Sequence, residues 1–80
     1  MKASQVRGAS FADWKIAAER GYIAGGMTRT AAAAIVDAAA ENIAPLVTQK
    51  LTGELLHTFA LALDLECGLY VRRNGAAALV

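Results

Sequence analysis

"HTFALALDLECGLYVRRNG", His57 to Gly75, is the stretch whose reading decides the fold. From Phe59 to Leu65 large residues alternate with small or polar ones: Phe59, Leu61, Leu63 and Leu65 against Ala60, Ala62, Asp64 and Glu66. A period of two belongs to a strand. The residue types are Leu, Ala and Glu, which are helix formers, and Thr58 is the only β-branched residue of 58–65. As a helix, 53–66 places Leu55, Leu56, Phe59, Ala60, Leu63 and Cys67 on a broad apolar face, with Gly68 as its stop. As a strand, 58–65 pairs with 69–72 across a turn at Cys67-Gly68. Composition favours the helix. Further on, Leu69-Tyr70-Val71 favours a strand, and Asn74-Gly75 is a strong two-residue hairpin signal. A hairpin of 69–73 and 76–80 is therefore expected. The predicted fold is mainly α, with two to three helices and a short C-terminal β-hairpin. The alternative is α+β, with a three-stranded antiparallel meander over 58–80.

The clearest element lies upstream. In "TRTAAAAIVDAAAENI", residues 28–43, Ala32, Ile35, Val36, Ala39 and Ile43 form one stripe at helical spacing. Alanine adds the highest helix propensity, and Thr28 or Thr30 can cap the start. Pro45 biases Ala44 away from the helical region, so this helix is expected to end or kink near Asn42. Before it, Ser10 and Asp13 make a capping box for a helix that runs to Arg20 and stops at Gly21, with Phe11, Trp14, Ala17 and Ala18 as its apolar face. Residues 1–9 are expected to be frayed or extended. "GYIAGGM" reads as a loop hinged at Gly25-Gly26. "LVTQKLTGE" reads as a short helix or an extended connection, with Thr52 able to cap a helix that starts at Gly53.

Eighty residues make one domain, and a chain this short has a marginal core. Hydrophobic residues are 56% of it, but nineteen are alanines, so most of the burial energy must come from Leu, Ile, Val, Phe11, Phe59 and Trp14. Apolar excess in a small chain predicts close helix packing and an apolar patch held for a partner or a second copy. The one cysteine, Cys67, excludes an intrachain disulfide and the multi-cysteine zinc patterns. "MKASQVRGASF" carries charge without an apolar stretch behind it, and the apolar window 55–71 holds His57, Asp64 and Glu66. Neither a signal peptide nor a membrane span is expected, and the expected location is cytoplasmic. Charge is segregated: +3 over 1–29, −4 over 30–68 and +2 from Arg72 and Arg73.

No catalytic set is legible. The single histidine, His57, lies ten residues from Cys67, about 15 Å along a helix, too far for a nucleophile–base pair. Asp37 and Glu41 share a helical face but lack further metal ligands. The Gly21 to Gly26 segment lacks the Lys-Ser/Thr of a phosphate-binding loop. A non-enzyme without catalytic residues, metal, cofactor or small-molecule substrate is the expectation. Candidate partner contacts are Tyr70 with Arg72 and Arg73, Trp14 with Lys15 and Arg20, and the acidic Asp37 and Glu41, since aromatic and Arg side chains dominate interface hot spots.

Two resemblances bear on function. The tail, through Leu65, Glu66, Gly68, Leu69, Arg72, Arg73 and Gly75, resembles the end of winged-helix regulators. That resemblance implies a helix in the DNA major groove and a hairpin wing on phosphate. The helix 53–66, however, presents Leu, Phe and Ala where base-reading helices present Arg, Asn, Gln or Ser. At class level, by size, composition and lack of catalytic residues, the chain is similar to phage- and mobile-element-encoded inhibitors of the anti-CRISPR type. That likeness implies a non-catalytic inhibitor or adaptor that occludes a surface on a larger protein complex, such as a nucleic-acid-binding effector. A DNA-binding regulator and a self-assembling structural subunit, a homo-oligomer, are the alternatives.

Overall fold

A computed structural model describes residues 3–47 and 52–79. Three helices carry the chain: α1 (Ala3–Ala24), α2 (Arg29–Ile43) and α3 (Thr52–Asn74). Short 3-10 turns follow α2 at Ala44–Leu46 and α3 at Gly75–Ala78. Helix α2 lies in the middle and packs against both α1 and α3. Its stripe of Ala31, Ala32, Ile35, Val36, Ala39, Ala40 and Ile43 is buried. Alanines 31, 32 and 39 are wholly covered, which lets neighbouring helices approach α2 closely.

Two apolar clusters hold the layer together. At one end Val36, Ala39, Ala40 and Ile43 meet Leu55 and Phe59, backed by Phe11 and Trp14 of α1. The rings of Phe11 and Phe59 meet edge to face at 5.6 Å, and Trp14 stacks on Phe59 at 6.4 Å. Such pairs add about 0.5–1.5 kcal/mol each beyond the area they bury. At the other end Met27, Ala31, Ala32 and Ile35 enclose Ala78. The backbone fixes this end too: the Thr28 N–H donates to the Ala78 carbonyl at 3.0 Å, and Met27 and Leu79 form an isolated antiparallel bridge.

The expected C-terminal hairpin is absent, and so is the meander; no strand occurs among the described residues. Residues 69–74 continue α3, and Asn74-Gly75 ends it instead of turning a hairpin. Gly75 has φ +55°, the left-handed conformation that closes helices and that a type I′ turn also demands, so one dipeptide serves both purposes. The alternation of 59–65 is likewise no strand. Phe59 is buried and Leu63 half-buried, while Leu61 and Leu65 point to solvent at 56% and 60% exposure. Leu56 and Ala60, assigned to the apolar face, are exposed as well. The inward-facing stripe is Leu55 and Phe59, buried, followed by Leu63, Cys67 and Tyr70, half-buried, a helical period that runs past Gly68.

Gly68 and Gly21 therefore stop nothing. Each costs its helix about 1 kcal/mol against alanine, less than the packing gained by the turns beyond it. In α1 that packing comes from Phe11, Trp14, Ala18 and Tyr22, with Tyr22 beyond Gly21 and Ala17 exposed. The helix ends at Gly25-Gly26, where Gly26 takes φ +103°. Ser10 lies inside α1 rather than capping it, and residues 3–9, expected to be frayed, are helical; residues 1 and 2 lie outside the described residues. Thr28 caps α2, its hydroxyl accepting from the Ala31 N–H at 3.1 Å. Pro45 does not expel Ala44 from the helical region, which keeps φ −50° and ψ −44° and passes into the 3-10 turn. Of the connection 46–54, residues 48–51 lie outside the described residues.

Candidate functional site

The chain's polar groups are spread rather than converged. Among the described residues no three His, Cys, Asp or Glu side chains gather where a metal could bind. His57 is exposed and Cys67 half-buried on α3, ten positions apart. No helix among the described residues is long and apolar enough to cross a membrane.

The hot-spot candidates divide between core and surface. Trp14 is half-buried in the ring cluster with Phe11 and Phe59, and only Arg20 of its patch is exposed; Lys15 is half-buried. Tyr70 packs on the Met27 and Ala31 cluster, while Arg72 and Arg73 are exposed in the last turn of α3. There they complement the negative end of the helix dipole. On α3 Arg72, two positions beyond Tyr70, points away from it, whereas Arg73, three positions on, lies on its side of the helix. Asp37 and Glu41 are exposed one turn apart on α2. Glu66 accepts from Asn42 Nδ2 at 2.9 Å and ties α3 to α2.

Two open surfaces emerge instead. A groove of about 550 Å³ runs between the C-terminal half of α1 and the start of α2, lined by Glu19, Arg20, Ile23, Ala24, Arg29 and Ala33. Ile16 extends it, since Ile16, Arg20 and Ile23 follow at i, i+4 and i+7 on one helix face. Ile16 is 47% and Ile23 38% exposed. Its lining combines apolar Ile23, Ala24 and Ala33 with two arginines and one acid, Glu19. The spacing of Ile16, Arg20 and Ile23 is present in the sequence, but a helix ended at Gly21 hides it. Arg29 joins them only through the Gly25-Gly26 turn.

The second surface is the outward face of α3. A shallow depression of about 230 Å³ is lined by Asp64, Leu65, Gly68, Leu69 and Arg72. A Cβ built on Gly68 meets nothing within 4 Å.

Tyr22 joins α1 to α3. Its hydroxyl donates to the Leu63 carbonyl over a long 3.4 Å. Burial, then the neighbouring acids Cys67 and Asp64, push its phenol up to about 12. The neutral phenol is the form this packing holds.

No family model matches this chain, and neither a curated protein nor a solved structure matches it.

Proposed function

We propose that the protein is a non-catalytic protein-binding module, an inhibitor or adaptor that acts by covering a surface on a larger complex. The observation that carries this reading is the open groove between α1 and α2, lined by Ile23, Ala24 and Ala33 with Glu19, Arg20 and Arg29. Ile16 is also exposed, one turn before Arg20 on the same helix face. Exposed apolar surface rimmed by charge is the signature of an interaction site. Arginine at such a rim pairs with carboxylates through its planar fork, so the groove suits a partner segment with apolar and acidic side chains. Asp37 and Glu41 lie exposed on the same central helix. In the more specific form of the proposal they face a basic nucleic-acid-binding surface on an effector complex and compete with its nucleic acid. Electrostatic complementarity of this kind raises association rate and selectivity.

The experiment is a tagged pull-down from lysate with nuclease treatment, at low and high salt, read by mass spectrometry. Recovery of a discrete complex that survives nuclease, and its loss on Arg20→Glu with Arg29→Glu, is the expected result. Recovery of nucleic acid alone, released by salt, overturns the reading in favour of direct nucleic-acid binding.

A further inference from the structure

We infer that the outward face of α3 binds a second copy of this chain, in a crossed antiparallel pair centred on Gly68. This goes beyond the groove proposal and uses a different surface. At 100° per residue, the helix direction opposite the inward-facing stripe includes Leu61, Asp64, Leu65, Gly68 and Arg72, with Glu54 and His57 further towards the N-terminal end of α3. Leu61 and Leu65 are the large apolar side chains there, each more than half exposed. Leu65, Gly68 and Arg72 line one depression with Asp64.

Charge selects the occupant. Asp64 has Ala60, Leu61, Cys67 and Gly68 at the helical neighbour positions, and Arg72 has Gly68 and Leu69, α3 ending at Asn74. Neither has an opposite charge three or four residues away along its own helix, where such pairs form. They are eight residues apart, about 12 Å along the axis, too far to meet each other. Yet they are placed symmetrically, four residues on either side of Gly68. A two-fold axis at Gly68 reverses the second helix. It then brings Asp64 of each copy level with Arg72 of the other, making two equivalent pairs. A parallel arrangement would instead oppose Asp64 to Asp64 and Arg72 to Arg72. The face is thus self-complementary in one direction only, as an isologous interface must be.

Gly68 completes the geometry. The absence of a side chain at the crossing point lets two backbones approach closely, and Leu61 and Leu65 flank that point and lose their exposure. The cost of a glycine inside a helix has no return within the monomer, because a Cβ there would meet open space. It has one at a helix crossing.

The test is sedimentation equilibrium of the full chain over a concentration series, with circular dichroism to follow the fold. Wild type should show a monomer–dimer equilibrium. Gly68→Leu should raise the dissociation constant about tenfold or more while the dilute monomer melts no lower than wild type, since leucine is the better helix former. Asp64→Arg should weaken the dimer, because it sets Arg against Arg at both ends. Adding Arg72→Glu to Asp64→Arg should restore the dimer with the pairs exchanged. A chain that stays monomeric at every concentration overturns the inference. So does a dimer indifferent to Gly68→Leu, or a double variant no tighter than Asp64→Arg alone.

Discussion

Phe59 is the residue on which the monomer most depends. It is 2% exposed and its ring meets those of Phe11 and Trp14 in α1, so it joins the first helix to the last across α2. Replacing a buried phenylalanine by alanine typically costs about 3–5 kcal/mol. A small domain has about 5–15 kcal/mol in all, so Phe59→Ala should leave the chain largely unfolded or strongly shifted in a urea titration. Tyr22 makes a subtler prediction. Its phenol titrates higher in the fold than its ordinary value of 10.0, so the folded state holds the proton more tightly than the unfolded chain does. The stability linked to this group is fully present below pH 10 and is lost as pH rises from there towards about 12. Denaturant titrations through the alkaline range should show wild type losing stability faster than Tyr22→Phe. Parallel slopes for the two would show that burial of this hydroxyl has no such effect.

Helix α2 is the element whose local rules and tertiary role agree best. Its Thr28 cap satisfies the Ala31 N–H, so Thr28→Ala should cost about 1 kcal/mol, measured as a lower urea midpoint with an unchanged slope. The stripe from Ala32 to Ile43 was legible because alanine propensity, capping chemistry and helical spacing all point one way. The ends of α1 and α3 were not. Gly21 and Gly68 carry the local signature of a helix stop, and the apolar contacts that override it, at Tyr22 and Tyr70, come from other elements. Asn74-Gly75 is degenerate for a related reason. The φ > 0 that it supplies fits a hairpin and a helix end alike, and the choice was made by Ala78, which is buried by Met27 and Ile35. The same degeneracy scattered the candidate contacts. A helix stopped at Gly21 leaves Ile23 unattached to Arg20. A strand at 69–73 puts Tyr70 and Arg72 on one face, whereas α3 puts them on opposite sides. Gly26 is where a glycine is needed: at φ +103°, Gly26→Ala should destabilise by about 1 kcal/mol or more.

As a whole the molecule is elongated. Its Cα atoms span 43 × 19 × 14 Å, with a radius of gyration of 13.1 Å. A compact chain of this length would have about 11.6 Å. So long and narrow a molecule cannot turn every apolar side chain inward, which is why Ile16, Ile23, Leu61 and Leu65 remain in water. The two open surfaces use different helices and different charges, α1/α2 with Arg20 and Arg29, and α3 with Asp64 and Arg72. They should therefore be separable. Surface substitutions away from capping or buried groups usually change stability by less than about 0.5 kcal/mol, so the fold should tolerate each reversal. Arg20→Glu with Arg29→Glu should weaken partner capture about tenfold or more, equivalent to ~1.4 kcal/mol, with the self-association constant unchanged. Gly68→Leu should do the converse: the dimer is lost and the monomer still captures its partner. Measuring both constants for both variants makes the division quantitative. If either variant abolishes both activities while its circular dichroism stays native, the two surfaces act as one, and the partner binds only across the dimer.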